Sequence, residues 1–413
     1  MKKRRVAVTG MGAVSPFGAG VDLFWRALLD GRSAVRPIER FDAGKYRSRL
    51  GAEVPQQLWN DDSLRRRCGN PEEDAAYFAV LAAEEALAQS GLAYPFRDED
   101  GAACIAGTLC AGANQMLHFG RAYNLTGSCR TEAASIESSL VSYQPDFLAA
   151  RFNFTGPVRL VSTACSSSTD AIGLAAELIA GGECEIALAG GGDIVVEAVH
   201  AGFCSLFSIA PDCVRPFDRA RKGFVIGEGA GFLVLESYPH AQARGAAILG
   251  DVLGYGLSNT ASSLTAPTAT GEAEAFAIER ALDDAGLRPA DIGYVNTHGT
   301  ATVLNDLAEA KAIARVFGSH AGDMVANSIK PAIGHCMGAS GVLEAISTIQ
   351  SIRTGLVPPT LNTKADMEGL TINLAAASPV ERPIVYAISQ SFGFGGACSC
   401  VALGRADGSR GQG

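Results

Sequence analysis

Apolar runs of strand character alternate with helical patterns along most of the chain, and this alternation restricts the fold more than any other feature. Residues 5–9 (RVAVT) form a short β-like run that stops at a glycine, whereas residues 74–89 have helical periodicity and are followed by Gly91 as a stop signal. Further strands are predicted at 102–106, 185–189, 231–236 and 248–258, and further helices at 169–179 and 272–285. The pattern predicts an α/β protein with a mostly parallel sheet covered by helices.

Two segments far apart in the chain share one pattern. Residues 159–182 (RLVSTACSSSTDAIGLAAELIAGG) and 324–355 (MVANSIKPAIGHCMGASGVLEAISTIQSIRTG) each read as a short strand, a turn of small residues with reactive side chains, and an apolar helix ending at glycine. This repeated strand–turn–helix pattern predicts two similar halves, residues 1–250 and 251–404, that build one active site between them. The polar tail 405–413 (RADGSRGQG) is predicted to be flexible.

Composition and charge exclude several classes of protein. Hydrophobic residues make up 47% of the chain and charged residues 19%, which is typical of a globular α/β protein. The net charge of −9 argues against general nucleic-acid binding. No apolar run approaches the roughly 20 residues of a membrane span, and the basic start MKKRRVAVTG reads as a strand rather than a signal peptide.

The cysteines indicate a reducing compartment. Eleven cysteines are scattered singly, so they form no disulfide framework, and Cys398 and Cys400 lie too close together for a zinc site and lack a second pair. We therefore expect a cytoplasmic protein with reduced thiols and no bound metal. Two glycine clusters, 190–192 and 393–396, predict turns in which the backbone approaches another group closely. Neither fits the dinucleotide fingerprint, so nucleotide binding is not expected.

Cys165 is the first candidate for chemistry. It follows a strand and precedes the predicted helix 169–179, a position where exposed N–H groups and the helix dipole favour an anion. This setting predicts that the pKa of the Cys165 thiol is lowered. It also predicts that nearby N–H groups stabilise the oxyanion that forms when the thiol attacks a thioester. A buried structural cysteine fits the residue about as well.

His298 and His335 form the second candidate group. Each follows a predicted strand and is flanked by glycine and small residues, in NTHGT and IGHCMG. Loops at the carboxyl ends of parallel strands are where such folds place their sites. A satisfied core histidine is the alternative for either. Lys330 and Glu344 flank His335, and an ion pair between them either orients that ring or is purely structural.

These motifs resemble the β-ketoacyl-acyl-carrier-protein synthases, the elongating condensing enzymes of the thiolase-fold superfamily. The resemblance runs from about residue 4 to 404 through VAVTGMGAVSPFG, TACSSS, RPFDRARKGFVIGEGAGFLVLE, VNTHGTATVLND, IKPAIGHCMGASG, VPPTLN and SFGFGGA. It implies a thiolase-like five-layered αβαβα fold built from two similar halves. It also implies a decarboxylative Claisen condensation that extends an acyl chain by two carbons, in fatty-acid or polyketide biosynthesis.

The resemblance assigns roles to particular residues. By it, Cys165 carries the acyl group, His298 and His335 assist decarboxylation and hold the enolate, and Lys330 and Glu344 support them. The remaining assignments are an oxyanion hole of the backbone N–H groups of Cys165 and Phe394, an acyl gate at the Phe394 side chain, and contacts to the phosphopantetheine arm at Thr300 and Thr302. No cofactor is expected beyond the substrates carried on that arm of acyl carrier protein.

The resemblance also indicates partners. Arg65, Arg66 and Arg67 fall where relatives contact the acidic carrier protein, although a solvated basic turn explains them equally well. A homodimer is expected, with a heterodimer of related subunits as the alternative. Residues 110–146 depart from the family pattern where relatives shape the acyl pocket and the dimer contact, so the chain length and the partner subunit stay open.

Two other functions compete with the condensing enzyme. A non-catalytic partner subunit that determines chain length typically lacks the nucleophilic cysteine, which is present here as Cys165. A degradative thiolase-like enzyme would use a second reactive cysteine near the C-terminus, for which Cys398 and Cys400 are candidates. The combination of one cysteine with two histidines favours condensation over both.

Overall fold

The structure is a computed structural model that describes residues 3–71, 73–128, 136–376 and 378–406. In the first half the strands are β1 (Val6–Ser15), β2 (Gly18–Ala19), β3 (Arg36–Pro37), β4 (Leu50–Ala52), β5 (Ala103–Gly107), β6 (Val158–Val161), β7 (Ile186–Asp193), β8 (Ile226–Gly227) and β9 (Gly229–Ser237). The helices of this half are α1 (Val21–Leu29), α2 (Gln56–Trp59), α3 (Asp62–Arg67), α4 (Asp74–Ser90), α5 (Ala113–Thr126), α6 (Tyr143–Phe152), α7 (Ser167–Gly181), α8 (Glu197–Ser205) and α9 (Tyr238–Ala243).

The second half repeats the strand–helix pattern. Its strands are β10 (Gly250–Asn259), β11 (Tyr294–Asn296), β12 (Val325–Asn327), β13 (Leu356–Val357), β14 (Asn373–Leu374), β15 (Val380–Glu381), β16 (Tyr386–Phe392) and β17 (Ala397–Gly404). Its helices are α10 (Glu272–Ala285), α11 (Val303–Phe317), α12 (Lys330–Ile333) and α13 (Ser340–Thr354).

One mixed sheet runs through the molecule in the order β14-β12-β11-β16-β17-β10-β1-β9-β7-β5-β6. Outward from the centre, the order β10-β17-β16-β11-β12 in the second half corresponds to β1-β9-β7-β5-β6 in the first. The two halves join where β1 and β10 pair antiparallel, with Val6 opposite Val252 and Val8 opposite Gly250. The predicted similarity of the two halves is therefore visible in their strand order.

Helices separate the two parts of this sheet into layers. α7 packs on β5 and β7 of its own half and on β10 and β17 of the other, while α13 packs on β16 and also on β9. α4 and α6 cover the outer face of the first half, and α10 with its neighbour α11 covers that of the second. α13 is buried from Ser340 to Ile352, as expected for a helix between two sheet layers. The predicted five-layered αβαβα arrangement is confirmed.

The same packing device appears in both halves. A Cβ added at Gly10 of β1 would lie 2.0 Å from the carbonyl oxygen of Ala86 on α4. A Cβ added at Gly256 of β10 would lie 2.1 Å from the carbonyl oxygen of Ala277 on α10. Each helix therefore lies directly on the first strand of its half, and only glycine allows this approach.

The prediction of a mostly parallel sheet is wrong. In the main sheet β1, β9 and β7 pair antiparallel, as do β10, β17 and β16. Among the described strands of this sheet, parallel pairing is confined to the outer ones. The connection between β16 and β17 is only residues 393–396, which is too short for a parallel crossover and closes a hairpin. The cluster 190–192 lies inside β7 rather than in a turn, and a Cβ at Gly190 would lie 2.0 Å from the carbonyl oxygen of Gly231 on β9.

Two further sequence expectations concern the ends of the chain and the membrane. Most of the predicted flexible tail, from residue 407 onward, lies outside the described residues. Within the described part of the chain, every helix is too short or too polar to span a bilayer.

Candidate active site

Cys165 lies in the 3₁₀ turn Ala164–Ser166 between β6 and α7, with its side chain buried. Ala164 has a φ of 56°, a left-handed conformation that costs a non-glycine residue roughly 1 kcal/mol or more. The buried carboxylate of Asp170, in the first turn of α7, accepts a hydrogen bond of 3.1 Å from the Ser166 hydroxyl. The turn therefore keeps a strained conformation that its surroundings hold in place and that aims the sulfur inward.

His335, from the second half, meets the cysteine. Its Nε2 lies 3.1 Å from Cys165 Sγ, and its Nδ1 lies 3.3 Å from the Met337 N–H and 2.9 Å from Ser340 Oγ. Because a backbone N–H can only donate, Nδ1 accepts and the neutral ring carries its proton on Nε2. Burial lowers the pKa of His335 well below its ordinary value, and the nearby Lys330 charge acts in the same direction. His335 is thus a neutral Nε2–H donor that faces the sulfur.

His298 follows β11 and faces the same point. The Lys330 Nζ lies 3.3 Å from His298 Nδ1, and since an ammonium only donates, this ring also carries its proton on Nε2. Burial and the Lys330 charge lower the pKa of His298 well below its ordinary value. The side-chain donor atoms of Cys165, His298 and His335 all lie within 4.8 Å of one another.

Lys330 and Glu344 form a buried ion pair beneath the two rings. The Lys330 Nζ lies 2.5 Å from Glu344 Oε1 and also donates to the carbonyl oxygen of His298. Burial raises the pKa of Glu344 to about 7 and Lys330 opposes this rise. The pair therefore fixes the position and the tautomer of His298, whereas sequence reasoning expected it beside His335.

The thiol itself does not follow the sequence expectation. Burial raises the pKa of Cys165 to about 11, while the Lys330 charge and the Phe394 N–H act in the opposite direction. The prediction that the helix N-terminus leaves this thiol with a lowered pKa is wrong, because removal of water from the pocket outweighs it. The His335 donor and the Phe394 N–H nevertheless stabilise the anion when it forms.

Phe394 lies opposite Cys165 in the turn Phe394–Gly396. Its backbone N–H points at the cysteine sulfur, and a Cβ added at Gly393 would lie 2.7 Å from the carbonyl oxygen of Thr163. Glycine at 393 therefore lets this turn approach the backbone at Cys165. The half-buried Phe394 ring contacts Phe203 edge to face at 5.5 Å between centroids.

A cavity of about 320 Å³ leads to these groups. Thr300 and Thr302 lie on its wall with their hydroxyl oxygens 3.0 Å apart. Exposed Phe207 and Val303 also line it, which places them at its mouth. The structure thus brings Thr300, Thr302 and the catalytic candidates into one space.

Sequence reasoning missed two buried carboxylates that hold the site. Glu309 on α11 accepts the N–H groups of His298 at 2.6 Å and Gly299 at 2.8 Å, and burial raises its pKa to about 8. Asp193, at the end of β7, accepts the N–H of Gly338 from the second half at 2.7 Å. Glu309 could have been identified from the sequence, because it is an acidic residue in the helix that directly follows the NTHGT motif. Asp193 offers no such signal, because its partners are distant in sequence.

The three arginines predicted to contact a carrier protein differ in their exposure and in their hydrogen bonds. Arg65 donates to Asp74 and, at 3.2 Å each, to the carbonyl oxygens of Trp59 and Pro71, so its guanidinium is committed to the fold. Arg66 and Arg67 are exposed, and Arg67 pairs with Glu84 at 3.3 Å. Of these three arginines, Arg66 and Arg67 are the two that present their charge to solvent.

The donor atoms of Cys165, His298 and His335 are close enough to contact a single metal ion. Their chemistry does not favour one, because both rings carry a proton on the nitrogen that faces the cavity and Lys330 places a positive charge beside them. The arrangement suits anion stabilisation instead.

One buried thiol and two neutral imidazole donors directed at the same space, within an α/β fold, form an arrangement suited to an enzyme that acts on thioesters. Residues 3–241 match the family model "Beta-ketoacyl synthase, N-terminal domain", and residues 249–364 match "Beta-ketoacyl synthase, C-terminal domain". The chain belongs to the β-ketoacyl synthase family.

Individual relatives agree with this membership. The chain is 37% identical to "Nodulation protein E" of Rhizobium meliloti (strain 1021), covering 97% of this chain and 99% of the relative. It is 35% identical to "3-oxoacyl-[acyl-carrier-protein] synthase 2" of Vibrio harveyi, covering 96% and 97%. Among solved structures, "The ishigamide ketosynthase/chain length factor" superposes with a TM-score of 0.90 at 32% identity, covering 98% of this chain and all of that one. The thiolase-like fold is confirmed.

Proposed function

We propose that this protein is an elongating β-ketoacyl-acyl-carrier-protein synthase that condenses an enzyme-bound acyl group with malonyl-carrier. The observation that carries the proposal is the meeting of Cys165 Sγ from one half with two imidazoles from the other, both held as Nε2–H donors. Relatives named 3-oxoacyl-acyl-carrier-protein synthases support it.

The first step loads the acyl group. The sulfur of Cys165 attacks the thioester carbonyl, a C–S bond to Cys165 forms, and the C–S bond to the carrier arm breaks. The thiol proton ends on the departing arm sulfur. The backbone N–H groups of Cys165 and Phe394 hold the oxyanion, and the Phe394 side chain moves to admit the acyl chain.

The second step forms the carbon–carbon bond. The bond between the malonyl carboxylate and its neighbouring carbon breaks, carbon dioxide leaves, and the electron pair becomes an enolate whose oxygen accepts from His298 and His335. The enolate carbon attacks the Cys165 thioester, so the C–S bond breaks and a β-ketoacyl-carrier two carbons longer leaves. The thiolate regains a proton from solvent. Lys330 and Glu344 act by holding His298 in its donor form.

The proposal divides the chain by role. Residues 1–250 carry the nucleophile, residues 251–404 carry both histidines, and 405–413 form a tail. The separate family models for 3–241 and 249–364 support this division. Thr300 and Thr302 hydrogen-bond the phosphopantetheine arm, and no other cofactor is involved. The reaction takes place in the cytoplasm.

Carrier protein docks on the basic helix α3, through Arg66 and Arg67. Their exposure supports the assignment, and Arg65 contributes by fixing the helix to Asp74 rather than by contact. A solved relative described as an "acyl-carrier protein in complex with its ketosynthase" also superposes on this chain, with a TM-score of 0.90 at 30% identity.

A second subunit covers α5. This helix exposes Met116, Tyr123 and Leu125, an apolar surface that a soluble chain usually buries in an interface. We place a second copy of the chain there; a related but different subunit is the alternative, since the ishigamide structure pairs a ketosynthase with a chain length factor. The mass of the assembled species, measured by native mass spectrometry, distinguishes the two.

The decisive experiment follows the acyl group and the new bond separately. Wild-type protein is incubated with acyl-carrier and analysed by intact mass, then supplied with malonyl-carrier. We expect an acyl adduct that malonyl-carrier converts to β-ketoacyl-carrier with release of carbon dioxide. Absence of an adduct with every acyl-carrier tested would instead identify a non-catalytic partner subunit.

A further inference from the structure

A buried carboxylate faces the active-site cavity away from the cysteine and the histidines. Glu274, in the first turn of α10, is 1% exposed and lines the cavity. Among the described residues, neither of its carboxylate oxygens has a hydrogen-bond partner outside its own residue. The hydroxyl oxygen of Thr260, on the wall of the same cavity, is also buried without a partner.

Thr260 and Glu274 lie beside the turn that carries Phe394. The Thr260 N–H donates to the carbonyl oxygen of Gly396 at 3.0 Å, and a Cβ added at Gly396 would lie 2.3 Å from the Thr260 hydroxyl. Ser258, two residues before Thr260, donates a hydrogen bond of 2.5 Å to the carbonyl oxygen of Ala273, the residue before Glu274. Both unpaired groups therefore line the cavity near the end of β10, where Thr260 adjoins the Phe394–Gly396 turn.

Across the residues that the structure describes, the fold gains no hydrogen bond to another residue from this carboxylate. A buried acid without a partner destabilises a protein, and burial raises the pKa of Glu274 accordingly. The favourable field of the helix N-terminus is already available to Glu272, which is exposed two residues earlier. A polar group kept at a cost to stability inside a cavity is typical of a binding residue.

We propose that Glu274 and Thr260 form a subsite for an N–H donor of the substrate that enters this cavity; the inference rests on the proposed function. Both groups accept hydrogen bonds, and an amide N–H or an ammonium would satisfy them without displacing any protein contact. Two parts of a carrier-borne thioester bring such donors. One is the amides of the phosphopantetheine arm, and the other is an amino group on the acyl chain.

The test uses Glu274→Gln and Thr260→Val, with Glu272→Gln as the matched control on the same helix. Acylation of Cys165 is measured by intact mass with three probes: the hexanoyl thioester of pantetheine, the hexanoyl thioester of ethanethiol, and the 6-aminohexanoyl thioester of ethanethiol. If the arm supplies the donor, Glu274→Gln lowers kcat/KM about tenfold with the pantetheine probe and leaves both ethanethiol probes unchanged. If the acyl chain supplies it, only the amino probe is affected.

The thermal stability of the Glu274→Gln variant provides an independent test of the subsite. Because the wild type buries an unpaired carboxylate, Glu274→Gln is expected to raise Tm, so a loss of activity in this variant does not reflect unfolding. A raised Tm with kcat/KM equal to wild type for all three probes would overturn the subsite while leaving the proposed function intact. If wild-type Cys165 accepts no acyl group from any carrier, the proposed function and the subsite fall together.

Discussion

The two halves of the molecule contain the same turn and use it differently. In the first half the turn Ala164–Ser166 leads into α7, and in the second the turn Met337–Ala339 leads into α13. Each turn begins with a non-glycine residue in the left-handed region, with φ of 56° at Ala164 and 51° at Met337. The position that corresponds to Cys165 in the second turn is Gly338.

The difference lies in what each turn faces. Cys165 presents its sulfur to the cavity, whereas a Cβ at Gly338 would lie 2.6 Å from Asp193 Oδ2 and 2.7 Å from the Leu109 N–H. The second turn therefore packs tightly against the first half. His335, the second-half residue that faces Cys165, lies two residues before this turn. In the proposed function the first half supplies the nucleophile and the second supplies the donors, so neither half would form the site alone.

The largest effect is expected from removal of the nucleophile. Cys165→Ala should abolish covalent acylation and lower condensation at least about a thousandfold, because the acyl group then has no attachment point. Intact mass after incubation with acyl-carrier measures the adduct, and Cys213→Ala, at a half-buried cysteine elsewhere, is the control. An acyl adduct that persists in Cys165→Ala would show that the first turn does not carry the nucleophile.

The donors of the second half should have the next largest effect. His298→Ala and His335→Ala should each slow malonyl decarboxylation about a hundredfold or more, since each removes one hydrogen bond to the enolate oxygen. Acylation of Cys165 should change much less. Carbon dioxide release and the rate of adduct formation are measured side by side, and a collapse of acylation with intact decarboxylation would reverse the two roles.

Gly338→Ala tests whether the second turn really lacks room for a side chain. The added methyl group meets Asp193 and the backbone at Leu109, so the free energy of unfolding should fall by about 1–3 kcal/mol. Gly181→Ala is the control at the end of α7, where an added Cβ meets nothing within 4 Å, and it should be neutral or slightly stabilising. Equal stability of the two variants in urea unfolding would contradict the proposed asymmetry.

The pKa of Cys165 depends on how completely the pocket between the two halves excludes water. With a pKa of about 11, the thiolate fraction rises about tenfold per pH unit, so the rate of Cys165 alkylation by iodoacetamide should rise likewise between pH 7 and 9. The rate is followed by intact mass. A plateau below pH 8 would mean that His335 and the Phe394 N–H outweigh burial.

Much of this arrangement could be predicted from the sequence. The strand–turn–helix echo indicated two similar halves, and the motifs around Cys165, His298 and His335 marked residues that do converge. The antiparallel centre of the sheet was missed, because apolar runs give no strand direction. The thiol pKa was missed as well, since a helix N-terminus is readable from sequence whereas the water content of a pocket between distant segments is not.

The unpaired carboxylate of Glu274 was missed for a related reason. In the sequence it is one of two acids in the first turn of a helix, where acids are ordinary. Only the packing of α10 against β10 and β17 separates it from exposed Glu272. Burial and the lack of a partner are properties of the tertiary structure.

The smallest effect is expected from charge reversal on the protein surface, where a site in the first half is compared with one in the second. Arg66→Glu with Arg67→Glu should raise KM for carrier protein several-fold with little change in kcat, because exposed charges act mainly on encounter. Arg288→Glu, at an exposed position of the second half, should leave KM unchanged. Arg65→Glu would instead lower stability, since Arg65 holds α3 to Asp74. The effect on KM should weaken as salt is added; an unchanged KM at low salt would remove α3 from the docking surface.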